Sequence, residues 1–118
     1  MEKFSVTLPL TGEYLTTVRL TTGGLCSLVG FDVETAEDFK VCVTESLLIF
    51  KRNGYKSATI NFTVGEALGC EIVGQETGGE IEDSFEDEIS RSLLRALLGN
   101  VEIESTQDKR VKRISFEG

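Results

Sequence analysis

The stretch FDVETAEDFKVCVTESLLIFKRNG, Phe31–Gly54, predicts a long amphipathic helix and decides the fold. Asp32 or Thr35 can serve as the N-cap, and acidic residues follow where the helix dipole is positive. Asn53-Gly54 is typical of a helix C-terminus, and basic residues precede it. Because its apolar positions recur every three or four residues, the helix should bury one face in the core. The residues of this stripe are Ala36, Phe39, Val43, Ser46, Leu47 and Phe50.

Two further segments predict helices on either side of this one. Residues 10–30 have a plausible N-cap at Thr11 and a helix stop at Gly30. Residues 88–100 end at Gly99, which fits a C-cap. The apolar residues of this last helix that we expect to face inward are Ile89, Leu93, Ala96 and Leu97.

Segments that alternate between apolar and polar residues predict the strands. Gly65-Glu66-Ala67 is expected to be a short hairpin loop, and Gln107-Asp108 a turn. An acidic loop is expected from Gln75 onward, up to the third helix. The predicted strands are residues 3–10, 57–64, 68–74, 101–105 and 110–118.

The predicted order of elements is β-α-α-β-β-α-β-β. Short turns between successive strands favour antiparallel pairs, and one apolar stripe per helix places the helices on one face of the sheet. The fold class is therefore α+β, a two-layer α/β sandwich with a mostly antiparallel sheet. The length of 118 residues favours a single domain over residues 1–118.

Composition excludes several classes of function. The formal net charge of −8 disfavours binding to nucleic acid and to anionic membranes. No segment approaches the roughly 20 apolar residues that a membrane span needs. The start, MEKFSVTLPL, lacks the features of a signal peptide, so we expect a cytoplasmic protein.

The chain has no histidine and three widely spaced cysteines, Cys26, Cys42 and Cys70. This excludes Ser–His and Cys–His nucleophiles and offers no usual zinc site, so no metal ligands are predicted. The cysteines are expected to be small buried side chains in a reducing compartment.

The segments LPLTGEYLTTVRLTTGGLCSLVGF, AEDFKVCVTES and NGY, in this order of elements, resemble the anti-sigma-factor serine/threonine kinases. That family belongs to the GHKL, or histidine-kinase-like ATPase, fold. The resemblance implies a regulator that captures a sigma factor and phosphorylates an anti-anti-sigma partner. It also implies ATP and Mg²⁺ as cofactors, a homodimer, and partner surfaces on the first helix, around Tyr14–Leu25, and on the ATP lid.

The resemblance assigns two positions on the long helix. Glu45 stands where the family has its catalytic glutamate, which assists removal of the proton from the attacking hydroxyl. Ile49 stands where the family has the asparagine that holds magnesium, and a hydrocarbon side chain cannot ligate Mg²⁺. Asn53, one turn further, is polar but is a poor substitute. Ile49 is instead expected to widen the apolar stripe.

Two glycine motifs of the family are altered here. Gln75 occupies the position of the aspartate that binds adenine, and its carbonyl oxygen can still accept a hydrogen bond. Thr77 and Gly79 occupy the positions of the two glycines after it. At the start of the third helix, Glu88 and Ser90 replace the glycines that cradle phosphate in the family.

The charge of the lid segment also disfavours ATP binding. Residues 80–88, which match the ATP lid, hold six acidic residues. Each close pair of like charges costs about 1–4 kcal/mol, so the segment repels a polyphosphate. It can equally be a surface for a basic partner, or a solvated loop before a helix N-terminus.

We therefore expect no tightly bound cofactor and a protein-binding regulator with a degenerate ATP site. Its partner would be a sigma factor or an anti-anti-sigma-like protein. The alternative is an active serine kinase that uses Glu45 as base and holds ATP through Gln75 and Gly79. A further alternative is an α/β scaffold unrelated to nucleotide binding, which a structure without a cleft between the long helix and residues 75–90 would favour.

Overall fold

The computed structural model, which describes residues 1–82 and 84–118, contains five strands and three helices in the predicted order. Asp32 caps the long helix as predicted, because its carboxylate accepts a hydrogen bond from the backbone N–H of Thr35 at 2.8 Å. The elements are β1 (Glu2–Pro9), α1 (Gly12–Leu28), α2 (Val33–Arg52), β2 (Tyr55–Val64), β3 (Leu68–Thr77), α3 (Phe85–Leu98), β4 (Glu102–Ser105) and β5 (Val111–Glu117).

The strands form one sheet in the order β1-β2-β3-β5-β4, and neighbouring strands within the described ranges are antiparallel. A single row of β-branched residues crosses all five strands in register, through Val6, Ile60, Ile72, Ile114 and Ile103. The three central members of the row are fully buried. This row pins the register, because a slip of one residue would turn these side chains to the opposite face.

Helix α2 covers the centre of the sheet, and α1 and α3 flank it on either side. Its buried face includes Phe39, Leu47 and Phe50, as predicted, and also Ile49. Ile49 is 0% exposed, so the expectation that it widens the apolar stripe is confirmed. The predicted α+β class and two-layer sandwich, with helices on one face, are confirmed as well.

The opposite face of the sheet carries hydrogen-bonded polar side chains. The Ser5 hydroxyl donates to Asn61 at 2.7 Å, and the Asn61 amide donates to the Glu71 carboxylate at 3.2 Å. Arg113 Nε donates to the same carboxylate at 2.6 Å. The hydrogen bonds from Arg113 and then Asn61 lower the pKa of the Glu71 carboxyl from its usual value.

The Glu71–Arg113 pair should make folding stability dependent on acidic pH. Because the folded-state pKa is lowered, the stabilisation is fully present above the unfolded pKa of about 4.3 and is lost as pH falls through the folded value. We expect Glu71→Gln to remove about 0.5 kcal/mol of this dependence, a small figure because solvent screens the pair. Urea unfolding at pH 7 and at about pH 3 measures it. The same substitution in an Arg113→Ala background should change the acid dependence much less, and an equal change there would contradict the assignment.

Helix α3 differs from its prediction. It begins earlier, at Phe85, and the residues predicted to face inward are largely exposed: Ile89 is 45% exposed and Leu93 is 36% exposed. Ala96 is exposed too, and only Leu97 of that set is partly buried. Ser90 and Leu94 are buried instead, because α3 packs along α2 by a neighbouring stripe.

Strand β3 is also longer than predicted. Residues 75–77, expected to belong to the acidic loop, continue the strand and pair with the start of β2. Pairing of Tyr55 with Thr77 extends the β2–β3 ladder past a β-bulge, which the alternation of side chains does not reveal.

Candidate functional site

The C-terminus of α2 is the point where several segments of the chain meet. Asn53 is 2% exposed there, and its side-chain amide donates to the Ile49 carbonyl at 2.9 Å. Its side-chain oxygen accepts from the backbone N–H of Val111 at 2.8 Å. Asn53 thus closes α2 and attaches the start of β5 to it, so its polar atoms are engaged within the protein.

The segment that follows β3 is fixed to the same end of α2. The Gly54 carbonyl accepts hydrogen bonds from the backbone N–H groups of Gly78 and Gly79, at 2.7 and 3.1 Å. The backbone N–H of Glu82 donates to the Arg52 carbonyl at 2.7 Å. Gly79, which occupies a family glycine position, and its neighbour Gly78 therefore bind the protein itself through their backbone N–H groups.

Arg110 and Tyr55 fill the space beside this junction. The Arg110 guanidinium donates to the carbonyls of Asn53 and Gly79 and lies 6.0 Å from the centre of the Tyr55 ring. The ring lies against Gly74, where an added Cβ would come within 2.3 Å of it. Burial raises the pKa of the Tyr55 hydroxyl, with Arg110 acting weakly in the opposite direction.

Glu45 is half-buried between α2 and α3. Its carboxylate accepts a hydrogen bond from the Ser90 hydroxyl at 3.3 Å, and the same hydroxyl accepts from Arg52 Nη1 at 3.1 Å. Arg52 also lies 3.4 Å from the carboxylate of Asp87, which bonds to Arg91 Nε at 2.9 Å. Glu45 is therefore one end of a polar network that joins the two helices.

The other two residues assigned by resemblance lie elsewhere. Gln75 is exposed and sits at the β-bulge of β3, where the register passes from Ala58–Gly74 to Ser57–Glu76. Gly79 is exposed and contacts Gly54 and Arg110. The contacts of the described residues do not bring Glu45, Gln75 and Gly79 together, and their roles remain predictions.

A cleft of about 570 Å³ opens where the acidic segment, the start of α3 and the β4–β5 turn converge. It lies between the end of α2 and residues 81–82 and 84–91. An unrelated scaffold was expected to lack a cleft here, so the structure does not favour that alternative. Asp83, part of the predicted acidic run, lies outside the described residues. The charged side chains around the cleft are Glu82, Asp87, Glu88, Asp108, Arg91 and Lys109.

The three cysteines are buried free thiols, as the sequence predicted. Burial raises the pKa of Cys42 to about 12 and also raises the pKa of Cys26 and Cys70. The thiols stay protonated at neutral pH, which makes them poor nucleophiles. Among residues 1–82 and 84–118, no cluster of three or more His, Cys, Asp or Glu side chains could hold a metal ion.

Comparison with known proteins gives distant matches. A serine-protein kinase RsbW of Oceanobacillus iheyensis is 29% identical over 118 aligned positions, which cover 81% of this chain and 75% of the relative. RsbW of Bacillus mycoides is 29% identical over 63 residues, and RsbW of Bacillus thuringiensis is 31% identical over 55 residues. The chain is distantly similar to serine-protein kinases.

These matches support the family that the sequence motifs resemble, at the level of distant homology. The Bacillus mycoides match covers 53% of this chain and 39% of the relative, and the Bacillus thuringiensis match 47% and 34%. The chain thus spans about two fifths or less of the length of these two relatives. No protein-family model matches the chain. None of the helices in the described ranges is long and apolar enough to cross a membrane.

Sequence reasoning missed the residues that hold this junction together. The sequence predicts Asn53 as part of a helix stop and as a poor substitute for the magnesium ligand, and it assigns Arg110 only to a predicted strand. The Asn-Gly pair after a helix does signal a capped end, but nothing local indicates that the Asn53 side chain reaches Val111 or that Arg110 reaches Gly79. Both contacts join residues far apart in the chain.

Proposed function

We propose that the chain is a regulatory protein that binds protein partners in a bacterial partner-switching pathway, through an ATP site that has lost much of its chemistry. The observation that carries this proposal is the burial of Ile49 at the position where the resembled family holds magnesium. A buried hydrocarbon there can neither ligate Mg²⁺ nor leave room for it. Residues 1–118 would form one unit of the histidine-kinase-like ATPase type.

Two further observations support a weakened ATP site. The backbone N–H of Gly79, at the position of a family glycine that would approach the ligand, binds the Gly54 carbonyl and is engaged within the protein. Among the described residues, four carboxylates and two basic side chains line the cleft at the end of α2, and this charge repels a polyphosphate that lacks its metal. No bound cofactor is therefore expected, although ATP with Mg²⁺ is what the family resemblance implies.

Exposed side chains on α1 support the partner surface that the resemblance implies. Tyr14 is 45% exposed and Leu20 is 75% exposed, and both lie within the Tyr14–Leu25 region. The proposed partner is a sigma factor or an anti-anti-sigma-like protein in the cytoplasm, and the chain itself is proposed to act as a homodimer. The net charge of −8 is unsuited to nucleic acid or to an anionic membrane.

The alternative function is an active ATP-dependent serine kinase that phosphorylates an anti-anti-sigma partner. The relatives, which are named serine-protein kinases, favour it, and so does the position of Glu45, whose half-buried carboxylate accepts a hydrogen bond from Ser90. In this alternative, Glu45 is the base, and ATP is held by Gln75 and Gly79.

Calorimetric titration with ATP and ADP, with and without Mg²⁺, separates the two functions. We expect binding no tighter than a Kd of about 1 mM, which corresponds to about 4 kcal/mol. Glu45→Ala and Gly79→Ala should then leave the heats unchanged. Gly79→Ala suits this purpose because its Cβ would meet only the Gly54 backbone, at 3.8 Å.

Micromolar Mg-ATP binding that is lost in both variants would establish the kinase alternative. The same calorimeter tests the protein-binding part of the proposal, with a purified sigma factor and anti-anti-sigma protein titrated in turn. We expect one of them to bind without nucleotide and to bind more weakly to Leu20→Ser, and failure of both to bind would overturn the proposal.

A further inference from the structure

Helix α3 presents a continuous apolar face to solvent. Phe85 is 75% exposed, Ile89 is 45% exposed and Leu93 is 36% exposed, and Ala96 continues the row. These side chains line a shallow groove of about 390 Å³. An apolar row of this kind on a monomer surface is typical of a protein interaction site.

The arrangement of the helices leaves this face without an intramolecular partner among the described residues. α3 packs on α2 through its opposite side, where Ser90 and Leu94 are buried. It lies at one edge of the helix layer, so a further helix could pack against it. The row from Phe85 to Ala96 spans about 16 Å along the axis, or three helical turns. That length matches one amphipathic helix laid into a groove.

Acidic side chains lie beside the groove on the N-terminal half of α3. Glu88 lines the groove and is exposed, and the Glu86 carboxylate is 79% exposed although it lies 3.9 Å from Arg52 Nε. The nearby cation Arg91 is paired with Asp87, and only Arg95 adds an exposed positive charge on the helix. The rim therefore complements a positively charged partner.

We propose that the groove formed by Phe85, Ile89, Leu93 and Ala96 binds a basic amphipathic helix of a partner protein. This proposal rests on the proposed function in one respect only, namely that the chain binds a protein partner. A second copy of the chain fits less well, because it would bring its own acidic rim and a net charge of −8. Apolar anchors would fill the groove, and Lys or Arg side chains would lie beside Glu86 and Glu88.

The test uses a synthetic 18-residue peptide designed as a helix, with Leu along one face and Lys along the other, and a fluorescent label for anisotropy. The double variant Ile89→Ser/Leu93→Ser should bind it about tenfold more weakly than wild type, since tenfold corresponds to about 1.4 kcal/mol. Both positions are partly exposed, so the variant should stay folded, and urea unfolding checks this. The matched control is Leu28→Ser at the end of α1, outside the Tyr14–Leu25 surface. Leu28 is 74% exposed in wild type, and this variant should bind the peptide within about twofold of wild type.

Charge is tested with a second peptide that has the same Leu face and Glu in place of Lys. We expect it to bind at least about tenfold more weakly than the Lys peptide, and Glu86→Gln/Glu88→Gln to weaken binding of the Lys peptide about threefold. Equal binding of the two peptides would overturn the proposal, and so would equal binding of the Lys peptide to wild type and to Ile89→Ser/Leu93→Ser.

Sedimentation equilibrium of the unlabelled protein tests whether a second copy of the chain occupies the groove. A dimer that becomes a monomer in Ile89→Ser/Leu93→Ser would assign the groove to a second copy and overturn the proposal. Loss of peptide binding in Leu20→Ser but not in the α3 variant would also overturn it, while leaving the proposed function intact. Tight Mg-ATP binding would overturn the proposed function without affecting the peptide result.

Discussion

Ile49→Asn is expected to lower the free energy of unfolding by about 4 kcal/mol. The side chain of Ile49 is 0% exposed in the core under α2, so the change removes buried hydrocarbon, which costs about 2–5 kcal/mol for comparable truncations. It also buries an amide without partners, which adds about 1–3 kcal/mol. Such a loss is a large part of the 5–15 kcal/mol that ordinary domains possess. Urea unfolding measures it.

Ile49→Val is the matched control, because it removes one methylene and introduces no polar group. It should cost about 1 kcal/mol. The proposed function would be contradicted if the asparagine variant kept the stability of wild type and gained magnesium-dependent binding of ATP. That result would mean that position 49 opens onto a nucleotide site.

Gly54→Ala should cost about 3 kcal/mol, from two separate sources. Gly54 has a φ of +85°, where an alanine is disfavoured by about 1–2 kcal/mol. An added Cβ would also lie 2.3 Å from the carbonyl oxygen of Gly79, and relief of such overpacking costs about 1–3 kcal/mol. Residues 78 and 79 must move to avoid this contact. Their amide hydrogens should therefore exchange faster with solvent in the variant.

Gly30→Ala separates the two sources. Gly30 has a similar φ of +77°, but an added Cβ there would meet nothing within 4 Å. It should cost only the conformational part, about 1–2 kcal/mol, and leave the exchange of Gly78 and Gly79 unchanged. Equal losses in the two variants would show that the segment after β3 does not press on Gly54.

The two-layer arrangement could be predicted from the sequence because the patterns that encode it lie within single helices and strands. Asp32 at the start of α2, the stripe through Phe39 and Phe50, and the strand alternation through Ile60 and Ile72 each act within one element. Burial then follows from periodicity, since only one side of each element is apolar enough to face the core.

Helix α3 shows where periodicity fails. Two adjacent stripes of this helix are apolar at helical spacing, one through Ile89 and Leu93 and the other through Leu94 and Leu97. Periodicity alone does not choose between them: the predicted inward set took Ile89 and Leu93 from the first stripe and only Leu97 from the second. The choice is made by the position of α2, which bonds to Ser90 and packs on Leu94.

The roles of the candidate site residues stay predictions, and the geometry around them was not predictable from the sequence. Resemblance placed Glu45, Gln75 and Gly79 at family positions, and the structure places Glu45 against Ser90 and Gly79 against Gly54. The bonds that define the junction connect residues more than 20 positions apart, such as Gly54 with Gly78. No local pattern encodes such a pairing, so only the folded chain reveals that the glycine N–H groups are engaged.

The position of α3 at one edge of the helix layer has a mechanical consequence. Every strand of the sheet keeps its hydrogen-bonded neighbours whether or not α3 is docked, because this helix packs mainly on α2. Undocking it would expose one fully buried leucine, worth about 1.5–3 kcal/mol, together with the ion pairs of Arg52. A pulling force on the outer side of α3 should therefore separate this helix from α2 before any strand of the sheet loses its hydrogen bonds.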